Sequence, residues 1–184
     1  ALSLCDGTVL DVGAGAGVHA LYLQKKGFEV DALEISQIAC AIMKNRGVEN
    51  VIQANFFQFH GKKYDTLLML MNGIGVSGTI QGFKNLLTHC KELLSERGQL
   101  IFDSSDISYL YEEYRITRPD YYFGEIKFQY EYKGNLGEPF KWLYIDQQTL
   151  IKIAHEENWV VQILYEDDND QYLVRMEPRK TDDM

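Results

Sequence analysis

A cluster of glycines stands where an apolar segment gives way to a helical pattern. Gly13, Gly15 and Gly17 follow the apolar run Thr8–Val12 and precede a helical repeat that begins at Val18. Glycine adopts positive φ readily and lacks the Cβ that would hold a ligand away from the backbone. The free N–H groups at the start of a helix favour a carboxylate or a phosphate. This bend therefore predicts a ligand site, with a tight turn that binds nothing as the alternative.

The spacing of the glycines separates several kinds of ligand-binding loop. A dinucleotide fingerprint has the form Gly-x-Gly-x-x-Gly, but here Gly17 comes one residue early and Val18 occupies the place of the third glycine. A Walker-type loop ends in Gly-Lys-Ser or Gly-Lys-Thr, and the segment lacks that ending. An NAD(P)-dependent oxidoreductase stays as an alternative function, because it shares the order of strand, glycine bend, helix and acidic residue.

The bend resembles the first motif of the class I S-adenosylmethionine-dependent methyltransferases. That motif is an acidic residue, any residue and then Gly-x-Gly-x-Gly, which Asp11–Gly17 matches. The resemblance covers roughly Thr8–Asp103, with a fourth-strand motif at Tyr64–Leu68 and the approach to a fifth strand at Leu94–Leu100. It implies methyl transfer, with S-adenosyl-L-methionine as the cofactor. A regulatory protein that binds this cofactor without transferring the methyl group is a further alternative.

The same resemblance assigns roles to residues after the second and third strands. Glu34, 17 residues after Gly17, matches the acidic residue whose carboxylate accepts hydrogen bonds from the ribose hydroxyls. Asn55 stands where the family usually has an aspartate against the adenine amino group, and its carbonyl oxygen can accept the same bond. Ile35 and Phe56 are placed to enclose the adenine ring. The implied cofactor site comprises Asp11, Gly13, Ala14, Gly15, Gly17, Glu34, Ile35, Asn55, Phe56, Met71 and Asn72.

Catalytic residues are harder to find, because the cofactor carries the activated methyl group and the protein mainly supplies positioning. Asn72, after the fourth strand, is a candidate for orienting the acceptor, with a loop cap as the alternative. Asp103, after the fifth strand, is a candidate for accepting a proton, although helix capping is the commoner role of such a segment. His19 lies close to the glycines but is more typical of a helix surface.

The elements that position these residues follow from the hydrophobic pattern. Short apolar runs alternate with helical repeats up to about residue 103, which is typical of parallel strands joined by crossover helices. A long helix is predicted over Thr79–Glu96, ended by Gly98, and a last pair of strands over Trp159–Tyr165 and Gln171–Met176. We therefore expect an α/β fold with a doubly wound, Rossmann-like, seven-stranded mixed sheet whose last strand is antiparallel.

An aromatic-rich insert interrupts this rhythm after the fifth strand, over about residues 107–144. We expect Tyr121–Tyr144 to form an antiparallel hairpin or pair of extended segments laid over the sheet on the acceptor side. Rings such as Tyr109 and Trp142 either bind a planar or amphipathic substrate or complete the core.

The composition bounds the remaining possibilities. A chain of 184 residues favours a single domain spanning 1–184. Its net charge of −9 disfavours nucleic acid as the acceptor, and so favours a small molecule. The chain begins almost on its first strand without a methionine, so we expect further residues to precede it. The sequence leaves the oligomeric state open.

Compartment and metal content are further expectations. No apolar run is long enough to span a membrane and no secretory signal is recognisable, so we expect a cytoplasmic protein without a membrane partner. Three separated cysteines indicate free thiols. No metal is expected, because His60, His89 and His155 share no ligand-like spacing.

Overall fold

The fold is built from strands and helices that alternate through most of the chain. The computed structural model describes residues 1–180, so the last four residues of the expected 1–184 domain lie outside it. In chain order the strands are β1 (Val9–Val12), β2 (Val30–Glu34), β3 (Asn50–Gln53), β4 (Tyr64–Met69), β5 (Leu94–Ser105), β6 (Glu125–Phe128), β7 (Glu131–Tyr132), β8 (Asn135–Leu136), β9 (Phe140–Leu143), β10 (Trp159–Glu166) and β11 (Gln171–Pro178). The helices are α1 (Val18–Lys25), α2 (Gln37–Asn45), α3 (Ile80–Leu93), α4 (Tyr109–Glu113) and α5 (Gln147–Glu156).

Within residues 1–180, seven strands form one mixed sheet in the order β10-β11-β5-β4-β1-β2-β3. Neighbouring strands from β5 to β3 pair in parallel, whereas β11 pairs antiparallel with both β5 and β10. The chain order reverses at β1, which has β4 on one side and β2 on the other. Ligands of such sheets bind outside the carboxyl ends of the strands at this reversal. The Rossmann-like fold with an antiparallel last strand is thus confirmed.

Helices cover both faces of this sheet. Successive side chains of a strand point to opposite faces, and here the side chains on both faces are apolar. Val9 of β1 belongs to one buried cluster, with Ala20 of α1 and Met43 of α2. Leu10, the next residue, belongs to a second buried cluster, with Phe83 of α3 and Leu150 of α5. Two packed layers therefore hold the strand ends, and the loops that follow them, in fixed positions.

The helix before the fifth strand ends earlier than its pattern predicts. α3 ends at Leu93, and Leu94 already has extended backbone angles and pairs with Tyr64 of β4. The prediction of a helix to Glu96 with a stop at Gly98 is therefore wrong, because Gly98 lies inside β5. A Cβ on Gly98 would lie 2.8 Å from the Tyr64 carbonyl oxygen, so this glycine permits the irregular pairing of β5 with β4.

The aromatic insert forms a hairpin apart from the main sheet, as expected. β6 pairs with β9 and β7 pairs with β8, both antiparallel. Lys133 and Gly134 at the tip have φ of 50° and 78°, the positive values that two-residue hairpin turns require. At its base the Tyr122 hydroxyl donates to the Asp146 carboxylate over 2.6 Å, and Asp146 also caps α5 by accepting from the Thr149 N–H. These bonds anchor the hairpin to the start of α5.

The cysteines and the helix lengths can be compared with the expectations from the sequence. Cys5, Cys40 and Cys90 are all buried and free, in agreement with the expectation of free thiols. No helix in residues 1–180 combines the length and apolar character needed to span a membrane.

Candidate functional site

The glycine bend connects β1 to α1 at the point where the strand order reverses. Gly13, Gly15 and Gly17 have φ of 71°, 54° and 77°, in the left-handed region that favours glycine. The N–H groups of Gly13 and Ala14 donate to the Leu33 carbonyl oxygen of β2 over 2.9 and 3.1 Å. The bend is therefore tied to the neighbouring strand.

The glycines differ in what surrounds them. If Gly13 or Gly15 carried a Cβ, no described atom from elsewhere in the chain would lie within 4 Å of it. Both glycines therefore face open space. A Cβ on Gly17 would lie 2.8 Å from the Val48 side chain and 2.9 Å from that of Met43, and both of these residues are buried. Gly17 therefore permits close packing of α1 on α2, whereas Gly13 and Gly15 keep the bend thin.

Glu34, at the end of β2, reaches back to the glycine bend. Its carboxylate accepts hydrogen bonds from the Gly15 N–H over 3.0 Å and from the Ser36 N–H over 2.8 Å. The N–H groups of Gly13, Ala14 and Gly15 thus all have partners within the chain, so the bend does not present them to an anion as the sequence suggested. The oxygens of Glu34 keep further lone pairs, so this carboxylate can still accept donors from a ligand.

Asp11, the acidic residue of the glycine motif, is buried in β1. Only 2% of its surface is exposed, and its Oδ2 has no hydrogen-bond partner in residues 1–180. Burial raises the pKa of Asp11 to about 7; the Ala20 N–H opposes this shift, and the charge of Glu34 adds to it. Because buried polar atoms are nearly always paired, the free oxygen marks a place for a donor that the described chain does not supply.

A cavity of about 490 Å³, here called the main cavity, opens at the carboxyl ends of the strands beside the bend. Six residues of the predicted cofactor site line it: Gly13, Glu34, Ile35, Asn55, Phe56 and Met71. Its described wall also contains residues that the motifs did not assign: Val12, Leu33, Ala54, Phe57, Leu70, Gly73, Val76 and Trp142. Trp142 belongs to the aromatic insert expected on this side, and most of the others directly flank predicted residues. The wall is mainly apolar, with Glu34 and Asn55 as its polar side chains.

Asn55 and Phe56 form the end of the cavity next to β3. The Asn55 side-chain oxygen accepts from the Phe57 N–H over 3.0 Å and so caps the short 3-10 turn Phe56–Gln58. Phe56 is buried, and its ring meets the His89 ring edge to face with centroids 5.0 Å apart. These contacts hold an apolar ring and an amide side by side at the cavity wall.

Asn72 joins three parts of the chain at the carboxyl edge. Its N–H donates to the Asp103 carboxylate over 2.9 Å, and its side-chain nitrogen donates to the Leu143 carbonyl oxygen over 3.2 Å. Its side-chain oxygen accepts from the Ser104 hydroxyl over 3.0 Å. Asn72 is buried with a φ of 53°, after Met71 with a φ of 60°. The side-chain amide of Asn72 therefore connects the end of β9 to β5 at the carboxyl edge of the sheet.

A second hollow of about 210 Å³ lies on the other side of Met71. It shares Leu70 and Met71 with the main cavity and also contains His19 and Asp103. Burial lowers the pKa of His19 below its usual value, and the charge of Asp103 opposes this shift. The structure therefore brings together two proton acceptors that are 84 residues apart in the sequence.

Comparison with known proteins identifies the family. A family model described as a methyltransferase domain matches residues 4–162. The chain belongs to this methyltransferase family. The methyltransferase is 39% identical to a SAM-dependent methyltransferase from Bacteroides fragilis, whose structure contains S-adenosyl-L-homocysteine. That likeness covers 97% of this chain and 75% of that one, with a TM-score of 0.87.

Two curated relatives match a shorter part of the methyltransferase. A 23S rRNA (uracil-C5)-methyltransferase from Pyrococcus horikoshii is 40% identical over 35% of this chain, and the type II DNA methyltransferase M.NgoMIV from Neisseria gonorrhoeae is 39% identical over 36%. The matches span only 15% and 22% of those two proteins. Since these relatives include RNA and DNA methyltransferases, they do not support the expected exclusion of nucleic acid.

The family and the geometry agree on the cofactor. The chain forms a SAM-dependent methyltransferase domain, and the oxidoreductase alternative is set aside. The main cavity has the size of a small-ligand site, for which about 300–1,000 Å³ is usual. Its apolar walls suit an adenine ring, its carboxylate suits vicinal hydroxyls, and the unpartnered oxygen of Asp11 lies in the adjoining strand. The residues present therefore fit S-adenosyl-L-methionine.

Proposed function

We propose that this methyltransferase acts on a small-molecule acceptor at the carboxyl edge of the sheet. The observation that carries the proposal is the charge of this edge. The second hollow contains Asp103 and Asp167. A third hollow of about 570 Å³, next to it along the edge, contains Arg118 together with four carboxylates: Asp106, Asp146, Glu166 and Asp170.

Carboxylates in these positions oppose the binding of a polyanion. A nucleic acid is held largely by cations that neutralise its phosphates, and here the hollows and the net charge of −9 have the opposite sign. A neutral or cationic small molecule meets no such repulsion. The aromatic hairpin supports the same proposal, because Trp142 walls off one side of the main cavity.

We also propose that the main cavity binds the cofactor through the residues that the motifs indicate. Glu34, already held against the bend, would accept from the ribose hydroxyls with its remaining lone pairs. The second lone pair of the Asn55 oxygen would accept from the adenine amino group, between Ile35 and Phe56. When bound, S-adenosyl-L-methionine supplies a methyl group already activated on its sulfonium.

The protein must then position the acceptor and set its protonation state. Asp103 is our candidate base, because only its Oδ2 is engaged by the Asn72 N–H and its side chain reaches the second hollow. Burial lowers the pKa of His19 in the same hollow, which favours its neutral form, so its ring can accept a proton as well. Asn72 contributes by fixing Asp103 through its backbone and not through its occupied amide.

The acceptor class is tested by following a labelled methyl group. The protein is incubated with methyl-labelled S-adenosyl-L-methionine and a cell extract, the unreacted cofactor is separated from the ultrafiltrate by chromatography, and label is then counted in the remaining ultrafiltrate and in the acid-insoluble material. The proposal requires label in the ultrafiltrate that is lost with Asp103→Asn. Label in acid-insoluble material that nuclease releases would overturn the small-molecule acceptor.

The cofactor residues are tested by calorimetric titration with S-adenosyl-L-homocysteine. Replacing Glu34 by glutamine removes hydrogen bonds to a charged acceptor, each about 1.5–3 kcal/mol, so affinity should fall roughly 10-fold or more. Glu113→Gln, at an exposed position of α4, is the control and should bind like the wild-type protein. Equal affinity in Glu34→Gln and the control would remove Glu34 from the site.

A further inference from the structure

His60, His89 and Glu92 come together on the outer side of Phe56. One ligand atom from each of the three residues lies within 4.8 Å of those of the other two. His89 and Glu92 are one turn apart on α3, whereas His60 comes from the loop before β4. The two histidine rings meet edge to face with centroids 5.5 Å apart. The sequence did not reveal this cluster because 29 residues separate the histidines.

His89 is oriented by one of its ring nitrogens. Nε2 lies 2.9 Å from the Phe56 carbonyl oxygen, and a carbonyl oxygen only accepts, so Nε2 carries the hydrogen. In the neutral ring Nδ1 then presents a lone pair, and it is turned toward the Glu92 carboxylate. Metal-binding histidines are usually oriented by donating their other ring N–H to a carboxylate, a backbone carbonyl or water, and here the partner is a backbone carbonyl.

The distance between His89 and Glu92 suits two ligands of one ion. Nδ1 lies 3.5 Å from Oε2 of Glu92. A good N–H···O hydrogen bond spans about 2.7–3.2 Å. Two ligands of a tetrahedral site with bonds of about 2.0–2.1 Å are roughly 3.3–3.4 Å apart. A cation between the two groups would also relieve the repulsion between the lone pair and the carboxylate.

We propose that His60, His89 and Glu92 bind a zinc-class divalent cation. Two imidazoles and a carboxylate suit Zn²⁺, with a fourth position open to water, whereas Mg²⁺ prefers oxygen ligands alone. His60 and Glu92 are exposed, so an ion can enter from solvent. The ammonium of Lys63 donates to the backbone carbonyl of Glu92, and its positive charge moderates the affinity.

The ion would fasten the loop before β4 to α3. Because His89 contacts Phe56 through both its ring and its Nε2–H, a bound ion would also hold one wall of the main cavity in place. The proposal does not depend on the acceptor or on cofactor binding, since the side chains of His60, His89 and Glu92 do not line that cavity.

The site is tested by titrating chelator-treated protein without a histidine tag with Zn²⁺ in a calorimeter. Co²⁺ is titrated in parallel, since tetrahedral coordination gives it an intense visible absorption. We expect one ion per chain, and at least about tenfold weaker binding in His60→Ala and in Glu92→Gln. Thermal unfolding of both exposed-site variants without metal checks that they fold.

His155→Ala is the matched control, since it removes another exposed histidine on a different helix, and it should bind Zn²⁺ like the wild-type protein. The site is refuted by absent binding, by unchanged affinity in His60→Ala, or by an equal loss in His155→Ala. Binding of Mg²⁺ in place of Zn²⁺ would also refute it, because imidazole ligands do not select that ion.

Discussion

The indole ring of Trp142 lies against Gly75, in the space that a Cβ at position 75 would occupy. Gly75 belongs to the short 3-10 segment Gly73–Ser77 after β4, and Trp142 belongs to β9 of the hairpin. Trp142 also lines the main cavity. The aromatic insert is therefore built into the wall of this cavity, and the absence of one side chain makes that contact possible.

This relationship predicts the effect of Gly75→Ala. The added methyl group must displace the indole, and such overpacking costs about 1–3 kcal/mol of the free energy of unfolding. Because the displaced ring lines the main cavity, the affinity for S-adenosyl-L-homocysteine should fall as well. Urea unfolding and calorimetric titration measure the two effects.

Gly137→Ala, in the hairpin that contains Trp142, is the matched control, because a Cβ at position 137 would lie 3.6 Å from its nearest neighbour, an ordinary contact. It should change neither quantity by more than a few tenths of a kcal/mol, as is usual for exposed positions. If Gly75→Ala were as stable as this control, the packing of Trp142 against Gly75 would not constrain the cavity.

The fold was predictable from the sequence because its signals are local. Apolar runs such as that of β4 are buried on both faces, and the side chains of Ser36 and Asp146 cap α2 and α5 by accepting from an N–H three residues further on. The end of α3 was misjudged, because Gly98 looks like a helix stop in sequence. In the structure its lack of a side chain serves the contact with Tyr64 on the neighbouring strand, which no local pattern reveals.

The site was predictable only where residues follow a strand in a known motif. Glu34 contacts the bend, and six residues of the motif-derived site line one cavity, whereas their contacts with the cofactor stay a prediction. The hydrogen bonds of the Asn72 amide with Ser104 and Leu143 could not be predicted from the sequence, because these partners are 32 and 71 residues away from Asn72. The grouping of His60 with His89 escaped for the same reason.

Asn72 is expected to matter mainly for stability. Asn72→Ala leaves the Ser104 hydroxyl and the Leu143 carbonyl without this partner, at about 1–3 kcal/mol, and forces alanine into positive φ. Asn72→Gly loses the same hydrogen bonds but adopts this φ freely, so it should lose less stability than alanine. Thermal unfolding of both variants separates the two contributions; full stability in Asn72→Gly would show that the buried bonds contribute nothing.

Asp11 should make stability depend on pH. Its pKa rises from 3.8 to about 7 on folding, so the folded chain binds this proton more tightly. The contribution of Asp11 to stability should therefore fall as the pH rises from about 4 to about 7 and then level off. Asp11→Asn lacks this ionisation and should gain stability relative to wild type over that window, by as much as about 4 kcal/mol.

Urea unfolding of Asp11→Asn and wild type between about pH 4 and about pH 8 measures this difference, and any constant effect of the buried amide cancels. Asp65→Asn is the control, because hydrogen bonds from Ser95 and Thr8 lower the pKa of Asp65, so its effect on stability changes mainly below about pH 4. The difference between Asp65→Asn and wild type should therefore stay nearly constant above about pH 5. A difference for Asp11→Asn that does not change with pH would contradict the burial argument.

Gly13 and Gly17 belong to one motif, but replacing each by alanine should affect stability and ligand affinity differently. Gly17→Ala places a methyl group 2.8 Å from Val48 and 2.9 Å from Met43 at positive φ, so we expect a loss of about 2–4 kcal/mol in unfolding free energy. Gly13→Ala meets open space, so only the backbone term of about 1–2 kcal/mol applies, but its methyl group enters the main cavity. Affinity for S-adenosyl-L-homocysteine should therefore fall more in Gly13→Ala, and stability more in Gly17→Ala. Urea unfolding and calorimetry on both variants decide the matter, since equal losses of stability and affinity in the two would mean that the glycines share a single role.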